Sequence, residues 1–490
     1  MNSNYRQAKH SGASAILLTM LVAATIFAGV VVPVQAQTFN SLWSFQGTTG
    51  NYGAYPQGLV QGTDGNLYGA TAAGGNDFDS GTFYKISTSG DVKTLCYFFD
   101  TGACRDAQSP SANLVAGANG DFYGVALDGE IIRLTTKGKL KVLYANGNAI
   151  PRAAMILASN GDFYGTTLNG GANGEGNVFK ITAAGKLTTL YSFCSDIQSG
   201  ICLDGAQPNF ALVEGSDGNL YGTTSVGGND GVNDGYGTIF KITLAGTLTT
   251  IYNFPGFTQS SSALIQGADG NFYGTTAAGG SGKYGAGGTF FTVTSGGDLT
   301  TLYNFCSQPN CTDGSQPANI YLATDGNFYG ITWTGGVNNN DQGTIFQFTP
   351  SGALTTLHNF DGTDGSGPNG GGTLMQDTNG TFYGTMQEGG NEWPSCTEGC
   401  VGTIFSLDMG LGPFVETLPT SGKVKAAVKI LGTDLTGATS VTFNGTAAAF
   451  TVASSSEITT TVPEGATTGV VKVVTAGGTT LTSNTVFQVP

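Results

Sequence analysis

Short runs of β-branched and aromatic residues, cut at close intervals by Gly, Asp and Asn, fill most of the chain. Runs of this length bounded by turn formers predict strands. Four of them make one unit, as in residues 211–215 (Ala-Leu-Val-Glu-Gly), 219–224 (Asn-Leu-Tyr-Gly-Thr-Thr), 237–243 (Gly-Thr-Ile-Phe-Lys-Ile-Thr) and 248–254 (Leu-Thr-Thr-Ile-Tyr-Asn-Phe). The second run carries a motif of the form Asp-Gly-Asn-aromatic-Tyr-Gly. Its tyrosine recurs at Tyr68, Tyr123, Tyr164, Tyr221, Tyr273, Tyr329 and Tyr383, at intervals of 55, 41, 57, 52, 56 and 54 residues. Dipeptides such as Asp217-Gly218 are tight-turn signals, because glycine accepts positive φ at no steric cost. Both faces of the runs are apolar, as expected of sheets covered on two sides.

Four strands per unit of roughly fifty residues match a β-propeller blade. The seventh unit has its third run (residues 402–407, Gly-Thr-Ile-Phe-Ser-Leu) but no ordinary fourth. An orphan fourth run, residues 39–45 (Phe-Asn-Ser-Leu-Trp-Ser-Phe), precedes the first unit. The expectation is a seven-bladed β-propeller whose N-terminal strand closes the last blade. Up-and-down topology then puts the loops after the second and fourth strands on one face. These loops are long and variable, and variable loops on a rigid scaffold usually carry function. They are also acidic, with Glu175, Asp204, Asp313, Asp341, Asp364 and Glu388 among them. Acidic loops are equally what keeps a glycine-rich surface soluble.

The repeat stops near residue 410. Alternating runs at 424–430, 440–444, 457–462 and 469–474, separated by turn signals, predict a small immunoglobulin-like β-sandwich over residues 411–490. At the other end, Arg6 and Lys9 precede an uncharged apolar run over 15–32, followed by Pro-Val-Gln-Ala at 33–36. That order reads as a cleaved export signal over residues 1–36, leaving residues 37–410 as the propeller. An uncleaved anchor is the alternative.

Charge and cysteine refine this picture. The whole chain carries a net charge of −15; without Arg6 and Lys9, 16 basic residues face 33 acidic ones, a net −17. Such a surface repels phosphate backbones, so nucleic acid is a poor partner. Eight cysteines fall into four close pairs, Cys96/Cys104, Cys194/Cys202, Cys306/Cys311 and Cys396/Cys400. In an exported chain an even count favours disulfides over zinc. An extracellular or cell-surface monomer is expected.

Catalytic chemistry is thinly represented, and no catalytic residue is assigned. The only histidines are His10 and His358, and His358 takes the slot that Tyr191, Tyr252 and Tyr303 hold in other units. Triads and His-based metal sites therefore lack parts. A carboxylate pair could still cleave glycosides. Calcium has one weak candidate, the Asn-Asp-rich loop at 229–235 with Asp230 and Asp234, which lacks EF-hand spacing. No other cofactor is implied.

The text at 269–276 (Asp-Gly-Asn-Phe-Tyr-Gly-Thr-Thr), 343–346 (Gly-Thr-Ile-Phe) and 305–317 resembles the choice-of-anchor tandem repeat GloVer-containing proteins across residues 37–410. Residues 413–490 are similar to an IPT/TIG domain, through Pro419, Gly422, residues 430–432 (Ile-Leu-Gly), residues 441–445 (Val-Thr-Phe-Asn-Gly), Val462, Pro463 and Phe487. The resemblance implies a bacterial secreted or surface protein. Three functions follow as expectations. The first is a non-enzymatic binding or adhesion protein for an extracellular glycan or protein. The others are a carboxylate-dependent glycosidase, lyase or lactonase acting in the central funnel, and a structural envelope component.

Overall fold

The computed structural model describes residues 37–46, 52–75, 80–99, 104, 107–108, 110–126, 128–145, 151, 153–229, 235–256, 260, 262–337, 341–367, 372–390 and 400–490. Among them the chain is all-β, apart from one 3₁₀ turn at Pro309–Cys311. The repeat region contains seven four-stranded antiparallel sheets; six are simple meanders of consecutive strands, and the seventh takes one strand from the N-terminus. The fourth sheet is representative, with strands Val213–Glu214, Leu220–Thr223, Thr238–Ile242 and Leu248–Asn253. Its second strand is buried at every position and its third at all but Lys241, which is why both read as nearly continuous apolar runs.

The repeated motif fixes the turn between the first two strands. Asp217 accepts from the Asn219 amide N–H (3.1 Å), the Asn219 side chain (2.8 Å), the Tyr221 hydroxyl (2.9 Å) and Lys241 Nζ (2.7 Å). Asp64, Asp269 and Asp325 hold Tyr68, Tyr273 and Tyr329 in the same way. Where Asn stands instead, its amide donates to the tyrosine hydroxyl, as Asn160 does to Tyr164 (2.7 Å). Anchored at its tip, each tyrosine ring is presented to the following sheet. Tyr68 lies 4.5 Å from Phe122, Tyr221 4.0 Å from Phe272, Tyr273 4.3 Å from Phe328 and Tyr329 4.4 Å from Phe382, ring centre to ring centre. Aromatic pairs at such distances add to ordinary apolar burial.

The seventh sheet draws on both ends of the repeat region. Its strands are Gly372–Gln376, Phe382–Met386, Cys400–Asp408 and, from the N-terminus, Thr38–Gln46. The last pairing runs antiparallel from Thr38↔Asp408 to Gln46↔Cys400. Contacts between consecutive sheets recur between this sheet and the first. Gln266 Oε1 accepts from the Ser216 amide (2.8 Å) and Gln376 Oε1 from Thr324 (3.0 Å); Gln61 of the first sheet accepts likewise from Thr378 of the seventh (3.3 Å). A Cβ on Gly246 would lie 2.6 Å from the Leu190 carbonyl oxygen, and one on Gly90 would lie 3.2 Å from that of Leu42. Pro208 abuts Gly176, Pro317 abuts Gly288, and Pro56 abuts Gly402. Tyr383, Ile404 and Val401 share one core with Leu67 and Tyr84.

Residues 416–482 form two further four-stranded sheets. One is ordered Glu416–Leu418, Ala427–Leu431, Glu457–Thr461, Phe450–Val452; the other Thr446–Ala447, Ser440–Phe443, Val471–Val474, Thr480–Thr482. Val428, Ile430, Val441, Phe443, Ile458 and Phe487 fill the space between them. This sandwich lies against the turns that follow first strands. Ser456 Oγ donates to the Thr63 carbonyl (2.9 Å), Ser421 Oγ to that of Ser159, and the Phe414 amide to that of Thr378 (3.0 Å).

Candidate functional site

The loops after the second and fourth strands stand at the opposite ends of the sheets from the sandwich. Three of them close on disulfides, Cys96–Cys104, Cys194–Cys202 and Cys306–Cys311, and the described residues include no free cysteine. Cys396 and the side chain of Cys400 lie outside the described residues, as do Asp230 and Asp234.

Several of the acids expected on this side are turned inward. Asp313 is 4 % exposed and accepts from the Tyr303 hydroxyl (2.7 Å) and the amides of Ser307 (2.8 Å) and Gln308 (3.2 Å). Asp204 does the same for Tyr191, Ser195 and Asp196. Burial and then the Asp204 carboxylate push the Tyr191 hydroxyl up to about 12. Asp364 receives the Asp361 amide (3.0 Å) and faces His358 Nε2 at 2.6 Å. His358 is further held by stacking on Phe39 at 3.8 Å, so it is a packed strand residue. The sequence signal for these loop anchors is the Asp-Gly pair at 204–205, 313–314 and 364–365, although composition alone does not separate these acids from the surface ones.

A cleft of about 450 Å³ opens beside the third of the disulfides. The loop from the fifth sheet supplies Asn310, Cys311 and Thr312; in the sixth sheet Ser315 opens the first strand, Thr334 ends the second, and Val337 and Asp341 come from the loop between the second and third. Asp341 Oδ1 accepts from the Gly335 amide at 2.5 Å. Cys306, Asn310, Cys311, Gln316 and Asp341 all have positive φ, between 51° and 58°. Left-handed backbone at non-glycine residues costs energy, and such residues concentrate at functional sites. Chemically the cleft offers an amide, three hydroxyls (Thr312, Ser315 and Thr334), a carboxylate and one apolar side chain. Among the described residues it holds a single acid, whereas glycoside cleavage needs two. Among the described residues no group of three or more His, Cys, Asp and Glu is arranged to hold a metal ion.

Exposed apolar side chains mark the same side. Among the described residues of the repeat region, Tyr52, Tyr55, Phe99, Ile197, Tyr284 and Val337 are the exposed large hydrophobic ones, 37–60 % accessible, and each lies in or beside a loop after a second or fourth strand.

Comparison with known proteins fits this repeat. The Gloeobacter/Verrucomicrobia repeat family model matches residues 9–201, 127–286 and 259–437. The chain belongs to this family. The IPT/TIG domain model matches residues 414–489, so the terminal sandwich is a TIG domain. No curated protein is a significant match. Among solved structures, the chain is similar to the extracellular domain of a candidate hybrid two-component system from B. thetaiotaomicron, at 13 % identity and TM-score 0.48. That match covers 91 % of this chain and 57 % of the other, so the chain spans little more than half of that relative. A candidate gluconolactonase matches at 10 % identity and TM-score 0.36, covering 77 % of this chain and 94 % of its own. A protein of unknown function from Bacteroides thetaiotaomicron VPI-5482 matches at 12 % identity and TM-score 0.41, with 76 % of each chain covered.

Proposed function

We propose that this chain is an exported, non-enzymatic binding or adhesion protein whose seven sheets close into a propeller and whose ligand docks on the loop side. The recurrence of the glutamine, leucine-carbonyl and proline contacts between the seventh and first sheets supports closure. In such a ring the TIG domain covers the turns around the axis on one side, and the loop side stays open. The observation that carries the binding reading is the one-sided placement of Tyr52, Tyr55, Phe99, Ile197, Tyr284 and Val337. Exposed apolar groups rimmed by polar ones characterise interaction surfaces. The polar cleft between Asn310, Thr334, Val337 and Asp341 suits a polyhydroxylated ligand, which needs many hydrogen bonds and modest apolar contact. Three disulfides accord with an oxidising compartment.

A glycan array on the purified chain, alongside capture from the producing cell's envelope, tests this. Retained glycan or protein that is lost in a Tyr284→Ser/Val337→Ser variant of unchanged Tm supports the reading. Turnover of a polysaccharide or lactone that Asp341→Asn abolishes would replace it with an enzymatic one.

A further inference from the structure

One position breaks the repeat where the seventh sheet meets the TIG domain. The residue opening the turn after the first strand is Gly62, Gly117, Ala158, Gly215, Gly267 and Ala323 in units one to six, and Asp377 in unit seven. Six units make this turn with no functional side chain there, so the turn itself does not need the carboxylate. Asp377 is only 2 % exposed, and its Oδ1 has no hydrogen-bond partner. Burying such an oxygen unpaired is costly.

The surroundings supply more oxygen and no compensating cation. The Phe414 amide donates to the Thr378 carbonyl (3.0 Å), which brings Glu416, in the first strand of the TIG domain, alongside Asp377. The Asn484 amide donates to the Val415 carbonyl (3.2 Å), setting Asn484 beside the same strand. Tyr321 of the sixth sheet completes the cluster, in contact with Asn484 and within electrostatic reach of both acids. Among the described residues neither acid forms a salt bridge. Burial, and for Glu416 also the charge on Asp377, raises both carboxyls, to about 6 for Asp377 and about 7 for Glu416. Asn484 also lines a cavity of about 610 Å³ between the TIG domain and the turns of the fifth and sixth sheets.

We propose that Asp377 and Glu416 together hold one hard divalent cation, of the calcium type, at the seam between the seventh sheet and the TIG domain. Hard cations take oxygen ligands, and carboxylates, an amide carbonyl and a few waters make a coordination shell of that kind. Asn484 provides the amide carbonyl, and Tyr321 walls the site from the sixth sheet. The cation balances the buried carboxylate of Asp377 and the half-buried one of Glu416, neither of which forms a salt bridge among the described residues. It thereby couples TIG docking to ion concentration.

Thermal unfolding of the chelator-treated chain with added CaCl₂ tests the site, with isothermal calorimetry giving stoichiometry. The expected result is one bound calcium and a saturable Tm rise of about 3 °C at a hundredfold excess over Kd, reversed by EDTA. Asp377→Gly, the residue present in most other units, folds and loses the response; Glu416→Gln loses it too. A calcium response that survives Asp377→Gly would place the ion elsewhere and overturn the proposal. So would the absence of any response in the unmodified chain at about 10 mM calcium, well above the range of extracellular calcium modules.

Discussion

Asp217, the turn-motif acid of the fourth unit, and Asp377, the buried acid of the seventh, titrate in opposite directions. Burial raises Asp217, but hydrogen bonds from Lys241, Asn219 and Tyr221 outweigh it and hold the carboxyl well below the ordinary range. A depressed pKa contributes stability that is complete above the unfolded value near 4 and fades as pH falls below it. Replacing Asp217 with Ala is therefore expected to cost about 1–2 kcal/mol at pH 7 in urea unfolding, and much less near pH 2. Asp377 and Glu416 behave the other way. Their raised values mean stability is greatest below about pH 4 and declines as pH climbs through 6 and 7. In EDTA, Asp377→Gly should thus unfold at a higher temperature than the unmodified chain at pH 7.5, and the gap should close at pH 4. The turn motif is legible in sequence because it repeats seven times. Asp377 is not, because its meaning depends on Glu416 and Asn484, which arrive from another part of the chain.

At the level of strands and loops, the four runs of each unit could be read from composition alone, since β-branched and aromatic residues between Gly and Asp have few other uses. The loops were harder. Asp204 and Asp313 resemble any other loop acid until the disulfide folds each inward over backbone amides. Cys194–Cys202 and Cys306–Cys311 close short loops, so reduction is expected to cost roughly 2–3 kcal/mol per bridge on the loop-entropy account. Limited proteolysis after mild reduction should cut first between residues 194 and 204 and between 306 and 313, while the second and third strands stay protected. Protection of these loops equal to that of the strands would show that the buried aspartates suffice without the sulfur bridge. The cleft beside Asp341 left no mark in sequence, for it is assembled from two loops of different sheets and a backbone conformation that no residue type announces.

Across the whole molecule, the all-β class and a small terminal sandwich follow from periodicity and the TIG assignment from the resemblance of residues 413–490 to that family, whereas the seating of that domain on the turns of several sheets needed coordinates. Ser456, Ser421 and Thr378 reach across this junction, and none stands out in a stretch rich in Ser and Thr. The strand Thr38–Gln46 is the other long-range element. Deleting residues 37–46 removes the partner of Cys400–Asp408 and bares the edge of the seventh sheet. The shortened chain should show a lower Tm by 10 °C or more, an order-of-magnitude expectation for losing a whole strand, and concentration-dependent association through that edge.

Pairing the first strand with residues 400–408 also imposes an order of events. A polypeptide emerging from a ribosome or a translocation pore presents its amino end first, yet this segment has no partner until some 360 residues have followed it. For that interval it must remain unspent, and the half-made protein has two unfinished margins, one at each end of the growing array. Slow assembly and a need for escort by a holdase are the natural cost of such distant pairing, and a nascent chain stalled before residue 400 should be recovered bound to one.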